Sequence, residues 1–351
     1  MAIEKNMSAV VLTGHGDFDM LEFRNDIEVP ELTPKDVLIR VGAAAVNNTD
    51  LNTRVGWYSK GDNDSEDASW AGDALKFPHI QGADVCGIIV AVGQDIDGSR
   101  IGERVVVEPC FHEFDSKELK SAYYYGSETH GGFAEYTRVP SRYAHKINSS
   151  LSDVELASFP CSYSTSENML TRAGVGKNDR VLITGASGGV GSASIQLAKA
   201  RGAKVIAVTS PSKAEELGEL GADEILHRDQ DYVDALGKNS VDVVIDLVAG
   251  SKWPSLLNVL RRRGRYVVSG AIAGPIVELD VRTLYLKDLS FFGCTVIEPE
   301  VFGNLIARIE AGQIRPLVAE TFPLVEIIKA QKSFQMKSHI GKIVLTMNLD
   351  G

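Results

Sequence analysis

Residues 181–210 constrain the fold more than any other stretch of the chain. Val181-Leu-Ile-Thr184 is a short apolar run, the mark of a buried parallel strand. A glycine turn follows, Ala186-Ser187-Gly188-Gly189-Val190-Gly191. Val190, Ile195, Leu197 and Ala198 then line one side of an amphipathic helix that Gly202 closes. Val205-Ile-Ala-Val208 is a second apolar run, so the whole reads as one strand–helix–strand unit. Glycines in such a turn let the backbone approach a pyrophosphate, whose charge rests against free N–H groups at the helix start. The position between a strand and a helix, with the second strand on schedule, makes the motif informative, although Ala186 stands where the first glycine of the usual fingerprint falls.

The second strand ends in Val208-Thr209-Ser210, and Lys213 follows. A site for NAD usually places an acidic residue here to bond the ribose 2′-hydroxyl. This chain has hydroxyls and a cation instead, which suit a 2′-phosphate and predict NADPH. Arg228 is a further candidate contact.

At 351 residues the chain is long enough for two cores. A formal net charge of -11 argues against nucleic-acid or anionic-membrane partners. No apolar run reaches the ~18 residues of a membrane span, and no signal peptide is visible, which predicts a cytoplasmic protein. Cys86, Cys110, Cys161 and Cys294 stand apart with no CxxC, so neither a disulfide framework nor a cysteine-rich zinc site is expected. The run Arg261-Arg-Arg-Gly-Arg265 reads as the solvated last turn of a helix, capped by Gly264.

In chain order, residues 8–12 and 36–45 read as strands, residues 59–77 as a polar loop suited to a lid, and 109–130 as an irregular lobe. That lobe holds Cys110, His112, Glu113 and His130, whose spacing follows no metal rule. Residues 151–172 read as helical around Pro160. Further buried strands are expected at 241–246, 265–269 and 289–294. The tail is expected to carry helices at 301–311 and 326–336 and a strand at 342–346.

Six motifs together resemble the medium-chain dehydrogenase/reductase superfamily, and within it the zinc-independent quinone oxidoreductases. They are Asn47-Asn-Thr-Asp50 with Arg54 and Tyr58, Gly82-Ala-Asp84 through Gly93, Gly102-Glu-Arg-Val105, Gly131-Gly-Phe-Ala-Glu-Tyr136, the glycine turn, and His339-Ile-Gly-Lys-Ile-Val344. The resemblance implies an α/β fold: a Rossmann doubly wound parallel sheet at 156–297, inserted into a β-rich GroES-like catalytic domain at 1–155 and 298–351. The cleft between the two domains is the expected active site.

Zinc-dependent relatives place a cysteine where this chain has Asn47, and a histidine where it has Ala83, in Gly82-Ala83-Asp84. Only Cys161 matches a ligand position, and a catalytic zinc needs three protein ligands, so no metal is expected. By resemblance, Thr165 lies near the nicotinamide, and Ser269, Gly270 and Phe292 line the cofactor at later strand ends, with Gly341 and Lys342 reaching it from the tail. Ser187, Gly188, Gly189, Val190 and Gly191 form the turn, and Ser210 and Lys213 the 2′-phosphate site.

The implied activity is hydride transfer from NADPH to a quinone or an α,β-unsaturated carbonyl. Without zinc, hydrogen-bond donors must stabilise the developing oxyanion, with Asn47 and Tyr58 expected there and Asn52 behind them. Asp50 and Arg54 are expected to pair as a scaffold. Two alternatives stay open: a zinc-free alcohol or carbonyl reductase for simple aldehydes and ketones, and an NADPH-binding protein without turnover. A homodimer formed through residues 289–296 is expected from the resemblance.

Overall fold

The computed structural model describes residues 3–58, 70 and 74–347. In chain order the elements are β1 (Asn6–Leu12), β2 (Leu21–Glu28), β3 (Asp36–Ala45), α1 (Asn48–Arg54), β4 (Asp84–Val92), β5 (Arg104–Val107), β6 (Cys110–Phe114), β7 (Lys117–Tyr124), β8 (Tyr136–Pro140), β9 (Ala144–Lys146), α2 (Asp153–Leu156) and α3 (Pro160–Arg172). They continue with β10 (Arg180–Ile183), α4 (Gly189–Ala200), β11 (Lys204–Thr209), α5 (Ala214–Glu219), β12 (Glu224–His227), α6 (Tyr232–Leu236), β13 (Val241–Asp246), α7 (Trp253–Val259), β14 (Leu260–Val268), α8 (Val281–Leu286) and β15 (Ser290–Gly293). The last are α9 (Val301–Glu310), β16 (Val318–Pro323), α10 (Ile327–Met336) and β17 (Lys342–Thr346).

Contacts divide the chain into two units: Met1–Cys161 with Pro316–Gly351, and Ser162–Arg315. The first is built on β3. Its run Val37-Leu-Ile39 is buried, and β3 pairs antiparallel with β4, β8 and β17. Val344 of β17 sits opposite Ala45, which brings the chain's last strand against its third. Among the described residues this sheet has seven strands. Its core includes Val10, Leu12, Ile39, Phe111, Phe133 and Leu345. Residues 109–130, expected to be irregular, hold the β6–β7 hairpin, where Cys110 faces Tyr124. β16 is a further strand that the sequence reading missed; its exposed Glu320 and Thr321 hide the alternation.

The second unit is the α/β body. Its parallel sheet has the order β12-β11-β10-β13-β14-β15, so the strand order reverses beside β10. Val181 sits between Val205 and Val243, and the buried apolar runs form the centre as the sequence implies. α4 ends where Gly202, at φ +79°, turns the chain and donates its N–H to Lys199. Gly191 packs the helix onto the strand: a Cβ there would stand 2.3 Å from the Gly185 carbonyl oxygen.

Four expectations are corrected here. The Rossmann unit runs to Arg315 rather than 297, because Val301, Phe302, Leu305 and Ile309 of α9 are buried and Arg308 lies 3.6 Å from the buried Glu167. Its start shifts from 156 to 162. Arg261, Arg262 and Arg263 are not a helix end: α7 stops at Val259, Leu260 turns extended, and the arginines open β14, with Arg261 paired to Asp242 and Arg262 to Asp288. The apolar run at 289–294 is not a buried strand; β15 is the sheet's edge, and Ser290, Phe291 and Gly293 are exposed. The lid expected at 59–77 falls largely on 59–69 and 71–73, outside the described residues.

Glu167 of α3 is 1% exposed and accepts two hydrogen bonds from Arg201, at 2.6 and 2.9 Å. Breaking a buried pair leaves one charge uncompensated. Glu167→Ala is expected to cost about 3 kcal/mol, read as a lower urea midpoint for the second unit's transition.

Candidate functional site

In the first unit the polar centre is built where β3, β4 and β17 meet α1. Val46 continues the β3 direction and donates its N–H to the Ile343 carbonyl, which fixes the register of the chain entering α1. Asp50, three residues into the turn, accepts the Asn47 N–H at 2.7 Å and the Gly82 N–H at 3.2 Å. It therefore ties the start of α1 to the segment leading into β4. Burial pushes the Asp50 carboxyl up from its ordinary 3.8 to about 7; the Asn47 N–H bond and Lys342 oppose that rise, and Asp84 adds to it.

Beside it lies an ion pair with almost no exposure. Lys342 Nζ stands 2.7 Å from Asp84 Oδ2, with 3% and 0% of the two side chains exposed. Lys342 also donates to Asn47 Oδ1. The Asn47 Nδ2 donates to Asp84 Oδ2 at 2.9 Å and to the Ala45 carbonyl at 3.3 Å. The Cys161 N–H donates to Asp84 Oδ1 at 2.5 Å. Tyr124 donates its hydroxyl to Cys161 Sγ at 2.9 Å. Burial, with the Asp84 charge beside it, pushes the Cys161 thiol up to about 12.

Three expectations meet a different arrangement. Asn47 is not a donor toward an oxyanion: both its amide hydrogens and its carbonyl oxygen are already used within the network. Lys342, expected to reach the cofactor from the tail, has its ammonium buried against Asp84 and Asn47 in the first unit. The pairing of Asp50 with Arg54 is also replaced. Arg54 is 1% exposed, donates to the Gly16 carbonyl, Asp17 and Gln331, and lies over the Phe18 ring. Asp50 caps α1 instead.

Tyr58 and Asn52 are half-buried on or just after α1. Tyr58 donates its hydroxyl to Thr49 Oγ1 at 3.2 Å, and burial raises its phenol while Asn52 bonds it. Thr49, accepting from Tyr58, keeps its own O–H to donate. The sequence reading passed over Thr49, although it lies inside the quoted Asn47–Asp50 motif.

In the second unit the remaining expected residues, apart from Thr165, lie on or just after the parallel strands. Ser187, Gly188, Gly189, Val190 and Gly191 carry the chain from β10 into α4, with Gly188 as the N-cap and no side chain capping it. Ser210 and Lys213 follow β11, where Ser210 and Ser212 hydroxyls lie 3.1 Å apart. Burial lowers the Lys213 pKa; Glu216 opposes this, and the Arg228 charge adds to it. Ser269 and Gly270 follow β14, and Phe292 lies on β15 opposite Val267. Thr165 is on α3.

Comparison with known proteins fits this division. The alcohol dehydrogenase GroES-like domain matches residues 33–149, and the zinc-binding dehydrogenase family matches residues 189–311. An acryloyl-coenzyme A reductase of Metallosphaera sedula is 31% identical over 97% of this chain and 100% of its own. A human quinone oxidoreductase is 28% identical over 98% and 99%. A solved Sinorhizobium meliloti structure, provisionally assigned as an alcohol dehydrogenase, is 43% identical with a TM-score of 0.90, covering 98% and 97%.

The chain therefore belongs to the medium-chain dehydrogenase/reductase superfamily. Within it the chain is quinone oxidoreductase-like, an oxidoreductase that uses a nicotinamide cofactor. The second family's name implies zinc, but the donor set does not fit it. The position of one ligand is Asn47, that of another is Ala83, the Cys161 thiol holds its proton, and an ammonium already neutralises Asp84. Among the described residues no three His, Cys, Asp or Glu side chains gather to hold a metal, the 109–130 segment included. No helix among them is long and apolar enough to cross a membrane.

The Asp50 shift has a stability consequence. A carboxyl that ionises near 3.8 unfolded and near 7 folded contributes stability that is complete below about pH 4 and is lost as pH rises through about 7. The stability advantage of the wild type over Asp50→Asn should therefore shrink between about pH 4 and pH 8 in urea unfolding; a gap that stays constant contradicts the shift.

Proposed function

We propose that this protein is an NADPH-dependent reductase that delivers hydride to a quinone or an α,β-unsaturated carbonyl without zinc. The observation that carries this reading is the hydroxyl pair Tyr58–Thr49 beside a polar centre whose cation is an ammonium. The quinone and acryloyl-thioester named for two relatives are both conjugated electron-poor acceptors. Reduced nicotinamide supplies the hydride when bound. As the acceptor takes it at carbon, its carbonyl oxygen gains negative charge. The Thr49 O–H, polarised by the Tyr58 hydroxyl that Asn52 holds, donates to that oxygen. The raised phenol of Tyr58 keeps its proton at neutral pH. Solvent supplies the remaining proton.

For the cofactor, Ser187 to Gly191 hold the pyrophosphate at the start of α4. Ser210, Lys213 and Arg228 hold the 2′-phosphate. Two cations brought together at a strand end repel each other, and a phosphate relieves that cost; no carboxylate closes β11 to reject it. Thr165, Ser269, Gly270 and Phe292 line the rest. A homodimer joined along the β15 edge is also part of the reading, supported by exposed Val281, Tyr285, Leu286, Phe291 and Val296 in and around it.

Calorimetric titration should give tighter binding of NADPH than of NADH, and Lys213→Ala should weaken NADPH about tenfold while leaving NADH unchanged. Equal affinities would remove the 2′-phosphate assignment. In an NADPH-oxidation panel, quinones and enones should exceed saturated ketones by about 100-fold in kcat/KM. Equal rates would point to a general carbonyl reductase, and no oxidation with any acceptor to a binding protein.

A further inference from the structure

Hydride transfer explains why this fold carries hydroxyl donors, but not why an ammonium is buried beside them. Lys342 is 2% exposed, and Asp84, its counter-ion, is fully buried. The cost of bringing both charges out of water is offset only by close pairing and by use of every remaining polar atom. The network meets that demand. Asp84 takes the ammonium, the Asn47 amide and the Cys161 N–H, and Asn47 takes the ammonium on its carbonyl oxygen. Reversing the Asn47 carboxamide would turn its NH2 toward the ammonium and its oxygen toward the carboxylate. Lys342 thus dictates which way Asn47 faces.

Asn47 and Cys161 are two of the positions where zinc-dependent relatives hold metal, and Asp84 follows the third, Ala83. The ammonium lies against the first and against Asp84, and its charge acts on the Cys161 thiol. We propose that Lys342 is a built-in replacement for the metal: its ammonium neutralises Asp84, sets the Asn47 carboxamide, and closes the site to divalent cations. It acts as a positioning residue, through its buried contacts with Asp84 and Asn47. This deepens the zinc-free reading above, and its test uses no turnover.

Cobalt(II) serves as the probe, because a thiolate ligand gives a charge-transfer absorption that adventitious surface binding does not. Reduced wild-type protein dialysed against cobalt chloride should retain no stoichiometric metal and show no such band. Lys342→Gln removes the ammonium from the Asp84 carboxylate and the Asn47 oxygen, with the Cys161 side chain next to both on the Asp84 side. It should take up one equivalent, at least about 100-fold more tightly than wild type, with a band that Cys161→Ser removes in the same background. Asn47→Cys keeps the Lys342–Asp84 pair and adds the thiol that zinc-dependent relatives have, so it guards against misfolding of the first variant. With Lys342 present it should still take up no cobalt. One equivalent with a thiolate band in wild type or in Asn47→Cys overturns the proposal, as does a folded Lys342→Gln that binds none.

Discussion

The first unit's polar centre depends on one buried charge pair. Without the Lys342 ammonium, Asp84 would be a fully buried carboxylate lacking this counter-ion, and the Asn47 carboxamide would lose the contact that sets its orientation. With it, the N-terminal end of α1 is held from two sides: by Asp50 on the Asn47 and Gly82 backbone, and by the Lys342–Asp84–Asn47 network on the side chain. Thr49, Asn52 and Tyr58 are set by that same short helix. The placement of the hydroxyl donors is therefore a consequence of an electrostatic arrangement several residues away from them.

The arrangement also bears on the metal that zinc-dependent relatives hold at these positions. A divalent ion does two things in such a site: it fixes its ligands and it polarises an oxygen. A buried lysine can do the first, through Asp84 and Asn47. The second then falls to neutral O–H donors, which suits acceptors that need less polarisation because conjugation already spreads the incoming charge. The chemistry of the proposed acceptor and the absence of ligand-type residues at positions 47 and 83 thus point the same way.

Much of this was legible in the sequence where the signal is local. The glycine turn, the β10–α4–β11 unit and the cap at Gly202 follow from short-range pattern, and the structure has them as read. Position 208–213 likewise showed its lack of a carboxylate directly. What failed was long-range. Lys342 and Asn47 are 295 residues apart, and only the pairing of β17 with β3 makes them neighbours. Read as a tail residue, Lys342 had no visible partner. Apolar content also misled at β15, since a run of Phe-Phe reads the same at a sheet's edge as in its middle. The arginines after α7 fit a helix end in composition, but Leu260 pairs with Val241 and draws them into a strand.

Under the proposed function, hydride transfer needs no metal, because Lys342, Asp84 and Asn47 fill the polar centre among themselves. The most direct test is turnover by protein passed over a strong chelator and shown by elemental analysis to hold less than about 0.05 equivalents of zinc, cobalt or nickel. With NADPH and an enone or quinone acceptor, the account predicts a kcat unchanged from untreated protein and unchanged on adding zinc. Loss of activity on stripping, restored by one equivalent of zinc, would contradict it.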